Sequence, residues 1–218
     1  MSQQFFEAIR AGDRDQVDTL LSADATLLGA KDDKGLGAYA AAKYSGRNDI
    51  AALLLEKGVE LDVFAACMAG ARERALELIG REPGLVEAYS SDGWTPLHLS
   101  CFFAQSSLVE ALIAQGADVN ARSRNAMRNA PLHAAAAGRN REALRVLLEH
   151  GADVNARQEG GWTALHAASQ NGDVEMARLL IAGGADVEIR AANQQNAMDL
   201  ALGKGHQAVV DLLDEYAR

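Results

Sequence analysis

Three stretches of this chain share one skeleton at a nearly fixed period. TPLH at Thr95–His98 leads to GADVN at Gly116–Asn120, APLH at Ala130–His133 leads to GADVN at Gly151–Asn155, and TALH at Thr163–His166 leads to GADVE at Gly184–Glu188. In every copy the His precedes the Gly by 18 residues, and successive His residues are 35 and 33 apart. A unit this short cannot bury its own apolar face, so a sustained period of this size constrains the fold to stacked repeats that cover one another.

Within a unit the local chemistry is consistent. Leu108, Val109, Leu112 and Ile113 follow helical spacing and are expected in the core. Thr95 is placed to cap the first helix with its hydroxyl, and Pro96 stands in the first turn, where its missing N–H costs nothing. A central Gly suits the left-handed residue that ends a helix. TPLH, a central Gly and GADVN in register resemble the ankyrin repeat family, strongly from 92 to 190. The resemblance implies an all-α repeat solenoid of helix–turn–helix units joined by short β-hairpin loops. It also implies a role in binding.

Seven units are expected, at about 2–30, 31–62, 63–91, 92–124, 125–157, 158–190 and 191–218, forming one domain. Units one and three are predicted to lack the hairpin. From Gly58 to Phe64, the position equivalent to the TPLH His, is 6 residues, whereas Gly151 to His166 takes 15. Shifting the chain by 58 places Phe6 on Phe64, Gly12 on Gly70, Leu27 on Leu85, Gly35 on Gly93 and Gly58 on Gly116, without gaps. Residues 5–62 and 63–120 therefore read as a tandem duplication of a two-unit block. In unit two Gly37 stands where the Thr cap is expected, so its corner should be less firmly held. Unit five carries two extra residues between Arg122 and Asn129, and Arg139 takes the usual Gly place with Gly138 one position early.

Composition narrows the function. The net charge of −9 disfavours nucleic acid and anionic membrane as partners. No stretch approaches the ~18 apolar residues of a membrane span, and no basic region followed by an apolar run opens the chain, which points to the cytoplasm. Cys67 and Cys101 fit no metal or redox spacing and are expected as two free, buried thiols.

No catalytic constellation, metal site or cofactor motif emerges. His98, His133 and His166 recur too far apart to share an ion, since equivalent positions in stacked helices lie about 8–10 Å apart. The resemblance implies that they hydrogen-bond the hairpin to the helix start. Asp199 replaces the TPLH His in the last unit, where it can face His166. His150 and His206 are expected to be solvated.

The resemblance assigns partner-facing roles to the hairpin tip, the residue before TPLH and the two residues before the central Gly. Those positions hold Leu36, Tyr44, Ser45, Met68, Ala69, Asp92, Trp94, Phe102, Phe103, Met127, Asn129, Ala137, Gly138, Glu159, Trp162, Gln170 and Asn171. Only 5% of the chain is aromatic, yet five of these are large aromatics. Tyr44, Trp94, Phe102 and Phe103 are the expected apolar anchors of a protein partner, with Met127, Asn129, Trp162 and Gln170 extending the strip. Phe102 and Phe103 serve equally well to fill the space of the missing hairpin. Arg122, Arg124, Arg128 and Arg139 form a candidate patch for an acidic partner, in a run with Arg141 and Arg145 interrupted by one acid, Glu142. The expected function is a non-catalytic, monomeric module that binds an unidentified protein. A homo-oligomeric spacer and a hydrolase with a polar concave site are the alternatives.

Overall fold

The computed structural model describes residues 1–216. Fourteen α-helices lie among them: α1 (Ser2–Ala11), α2 (Arg14–Ala23), α3 (Ala38–Tyr44), α4 (Asn48–Glu56), α5 (Val63–Ala69), α6 (Arg72–Arg81), α7 (Pro96–Phe102), α8 (Ser106–Ala114), α9 (Pro131–Ala137), α10 (Arg141–Glu149), α11 (Ala164–Gln170), α12 (Val174–Ala182), α13 (Ala197–Lys204) and α14 (Gln207–Tyr216). Each odd-numbered helix packs on the even-numbered helix that follows it. The odd helices also pack in sequence, α1 on α3 through α11 on α13, and make an inner row. The outer row joins α2 to α4 and runs on from α6 to α14. It is thinnest between α4 and α6, the seam between the two related blocks.

That block relation is visible in the backbone. A shift of 58 carries α2, α3 and α4 onto α6, α7 and α8 residue for residue, and the 3-10 turn Ala25–Gly29 onto Pro83–Glu87. Left-handed Gly12, Gly35 and Gly58 fall on left-handed Gly70, Gly93 and Gly116, while Gly46 falls on Ala104, itself held at φ 59°.

One apolar core runs along the whole stack, from Phe5 and Ile9 to Leu212 and Leu213. Leu108, Val109 and Leu112 are fully buried, and Ile113 is half-buried. Burying a side chain of this size contributes about 1.5–3 kcal/mol, so neighbouring units stabilise one another more than any unit stabilises itself. Helix starts follow their caps. The Thr95 hydroxyl accepts from the His98 N–H, whereas Gly37 offers α3 no side-chain cap.

The loops before α3, α7, α9, α11 and α13 form fingers, each closed by a tight turn. A backbone bond spans each: Asp32 to Leu36, Ser90 to Trp94, Ser123 to Asn129, Gln158 to Trp162, and Ala191 to Gln195. The longer Ser123–Asn129 span absorbs the two extra residues of unit five. Before α5 the chain has only residues 57–62. The expected β-hairpins are turns rather than ladders, and only the isolated antiparallel bridge Lys31–Gly37 has β pairing among the described residues. Adjacent fingers share single backbone hydrogen bonds at 2.8 Å: Arg124 N–H to Gly93, Glu159 N–H to Met127, and Ala192 N–H to Gly160. One backbone bond per finger pair is too few to make a sheet.

Candidate functional site: an aromatic row beside a missing finger

The inner face is held by repeated ties. The ring Nε2–H of His98 donates to the Asn129 carbonyl at 3.0 Å, that of His133 to Trp162 at 3.1 Å, and that of His166 to Gln195 at 3.2 Å. Each histidine thus fastens the next unit's finger to its own helix. The Nδ1 atoms of His133 and His166 accept the N–H of Ala130 and Thr163, which fixes the tautomer with the proton on Nε2. Burial holds His98 and His133 down to about 4, and His166 below its ordinary value. All three are therefore neutral hydrogen-bonding groups. Asp199 does not meet His166: it accepts the Asn196 N–H and pairs with Arg190 at 3.3 Å. His206, expected in solvent, donates Nε2–H to the Gln170 carbonyl at 3.1 Å, while His150 stays exposed with Nδ1 on the Val146 carbonyl.

The second end of each unit is tied as well. Arg47 donates to the Arg10 carbonyl, Gln105 to Met68 and Asn140 to Cys101. The Arg47 and Gln105 side chains lie where a Cβ on Gly12 and on Gly70 would stand. Gly12 and Gly70 are therefore fixed by close approach as well as by positive φ. Gly138 is an exception in conformation only. Its φ is ordinary, but a Cβ there would lie 2.2 Å from the Phe102 carbonyl oxygen, so the left-handed turn moves on to Arg139 at φ 53°. The GADVN asparagines form a third tie: Asn120 and Asn155 donate to the carbonyls of Gly151 and Gly184 and accept the N–H groups of Asp153 and Asp186.

Against this scaffold, the four aromatic anchors come together. Tyr44 and Phe103 have centroids 5.6 Å apart, Phe103 and Phe102 5.2 Å, and Phe102 and Trp94 5.3 Å, the last two pairs edge to face. Trp94 in turn lies 5.8 Å from His98. Tyr44 is exposed, and the other three are half-buried against the core. The Lys43 ammonium sits 5.4 Å above the Phe103 ring, and partial burial draws its pKa down. The Tyr44 hydroxyl donates to Asp92 at 2.5 Å. Burial and that carboxylate together raise its pKa well above the usual range, so it stays a donor.

The remaining strip residues are placed less uniformly. Met127 is 49% exposed and Gln170 is exposed, while Trp162 is half-buried 5.6 Å from His166. Asn129 does not extend the surface. It is only 6% exposed, and its side-chain oxygen is buried. The arginines do not form one patch. Arg122 donates to the carbonyls of Arg128 and Arg157, Arg124 lies 3.9 Å over Tyr89, Arg141 pairs with Asp173, and Arg145 is held between Glu142 and Glu149. Arg122 and Arg124 have no ion pair either, but only Arg128 and Arg139 of the run have exposed side chains with neither a hydrogen bond, an ion pair nor a ring contact among the described residues, and both occupy left-handed backbone. Arg157 was missed. Its place after GADVN, shared with Arg122, was the available signal.

Residues 92–124 match the family model for an ankyrin repeat, residues 132–181 that for ankyrin repeats in many copies, and residues 157–217 that for ankyrin repeats in three copies. Together they take in more than half of the chain. The chain belongs to the ankyrin repeat family. Ankyrin repeats are generally protein–protein interaction modules, typically without catalytic activity. No curated protein matches this ankyrin repeat chain. Residues 1–91 lie outside these three matches, and the continuous helix stack joins them to the array. No described helix is long and apolar enough to cross a membrane.

Proposed function

We propose that this ankyrin repeat chain is a non-catalytic binding module that seats a partner protein on its inner face, anchored on Tyr44, Trp94, Phe102 and Phe103. One observation carries the reading. Four large rings from two non-adjacent units form a continuous row that remains partly open to solvent. A buried core does not need such a row, and aromatic groups of this kind commonly dominate binding energy. The row is also pre-arranged. Its rings stack on one another and on a rigid helix row, so little side-chain freedom is lost on binding. Met127, Trp162 and Gln170 continue the surface towards α11, and Arg128 and Arg139 supply two cations without an ion pair among the described residues. Asn129 is left out, since it is buried.

Capture from source-cell extract tests the reading, comparing the wild type with a Trp94→Ala/Phe102→Ala/Phe103→Ala variant shown to be folded. A protein retained by the wild type and lost with the variant supports it. Equal retention by both moves the site off the aromatic row.

A further inference from the structure

The missing finger leaves a built pocket. Fingers two and four lean together over the gap, and a Cβ on Gly35 would lie 3.3 Å from the Ser91 Cβ. The backbone rung that links other adjacent fingers is absent here. Neither the Gly35 carbonyl nor the Ser91 N–H has a partner among the described residues. Beneath the two fingers a cavity of about 320 Å³ opens onto α5, floored by Phe64 and Met68. That volume lies in the range of small-ligand and side-chain sites. Phe102 and Phe103 do not line it, so the aromatic row leaves the gap unfilled.

Tyr39 marks the pocket as more than a packing defect. It occupies the Leu position of TPLH, held by Leu97, Leu132 and Leu165 in the well-matched units. Only 5% of Tyr39 is exposed and it lines the cavity, while its hydroxyl oxygen keeps contact with solvent and hydrogen-bonds to nothing among the described residues. A leucine at this register offers no such group, whereas the phenolic oxygen is free to accept from a donor that enters the cavity. The charges at the cavity are unbalanced. Glu60, Asp62 and Asp92 line it against the single cation Lys31. Asp62 also caps α5, and Asp92 also receives Tyr44 and Ser90, while Glu60 has no ion pair among the described residues.

We infer that this pocket receives one arginine side chain of a partner protein. Guanidinium fits the inventory better than ammonium does. Its planar edge carries several donors for a cavity whose lining offers the Tyr39 oxygen, the Gly35 carbonyl and the Glu60 carboxylate, and its weakly hydrated face suits the aromatic Phe64. The occupant would project from a segment crossing fingers two and four, next to the aromatic row. The pocket does not depend on the row, and either assignment can fail alone.

The test is a two-dimensional NMR titration of the full chain with N-acetyl-arginine-N-methylamide, run beside its citrulline counterpart, which keeps the shape and lacks the charge. Saturable shifts are expected at Gly35, Ser91 and the start of α5, with citrulline at least about fivefold weaker. Tyr39→Phe and Glu60→Gln, both surface-preserving changes, should each weaken the arginine probe several-fold. The Trp94→Ala/Phe102→Ala/Phe103→Ala variant should bind the probe as the wild type does, even where it has lost the captured protein. Equal binding of citrulline, shifts elsewhere, no saturable shift, or no effect of Tyr39→Phe and Glu60→Gln would each overturn the assignment.

Discussion

The Tyr44 hydroxyl reaches past one whole repeat to the Asp92 carboxylate, at 2.5 Å. Tyr44 ends α3 in unit two, and Asp92 lies in the finger of unit four. In an array whose units touch only their neighbours, a direct bond between units two and four exists only because unit three has no finger between them. The same gap brings Tyr44 to Phe103 and Lys43 over the Phe103 ring. One missing finger thus explains the aromatic row, the skipped unit and the cavity beneath the fingers.

If this bond ties the two units, Tyr44→Phe should destabilise the chain by about 1 kcal/mol, the usual net worth of such a hydrogen bond. Asp92→Ala should cost at least as much, because it also releases the Ser90 hydroxyl. The double variant should cost less than the two single changes added together, since both remove one interaction. Urea unfolding of the four proteins measures this, and strict additivity would show that the bond contributes nothing.

Arg139→Gly should stabilise the fold by about 0.5–1 kcal/mol, as glycine accepts a left-handed φ that costs an L-residue roughly 1–2 kcal/mol. Ala104→Gly, at φ 59°, should act in the same direction. Gly138→Ala should do the opposite and more strongly, because its Cβ would press on the Phe102 carbonyl. Thermal unfolding separates the signs, and a destabilised Arg139→Gly would mean that the guanidinium contributes more than the backbone strain costs.

Acid should weaken the array through its histidines. His98 and His133 titrate near 4 in the fold, whereas an unfolded histidine titrates near 6.5. Between those values the unfolded chain binds more protons than the folded one, so stability falls as pH drops from about 6.5 to about 4 and is level, as far as these groups go, above 6.5. His166 shifts in the same direction. Replacing His133 with Gln should flatten that slope while lowering stability at pH 7, because the Trp162 carbonyl then receives a poorer donor. A denaturation series across pH 4–8 shows whether the slope is present.

Cys67 and Cys101 are buried and unpaired, and burial pushes the Cys67 thiol up to about 12 and Cys101 higher still. A thiol reagent at neutral pH should leave the native chain unmodified for as long as it stays folded, and should label both cysteines in denaturant without a reductant. Rapid labelling of the native protein would place at least one of them at an open surface.

Periodicity made most of the scaffold readable. The histidines, central glycines and GADVN asparagines recur because each is tied to the same atoms of the next unit, so their spacing carried their roles. The 58-residue shift made the displaced finger legible too, from a count of residues between Gly58 and Phe64. What spacing could not show was depth. Asn129 occupies the register of Trp94 and Trp162 and makes the same kind of backbone bonds, but its shorter side chain is buried. The arginines are close in sequence, yet stacked units send them to different carbonyls, rings and carboxylates. The pocket was also hidden, because an empty volume depends on two fingers closing over a gap, and neither finger differs in its own sequence pattern.

The central claim is that a partner protein lies on the aromatic row. Site-specific photo-crosslinking tests it most directly, with benzoylphenylalanine placed in turn at position 103, at Met127, and at Glu110 on the outer helix α8. Adducts with one and the same partner protein are expected from 103 and 127 and not from 110. Adducts from 110 alone, or only with a second copy of this chain, would contradict the claim.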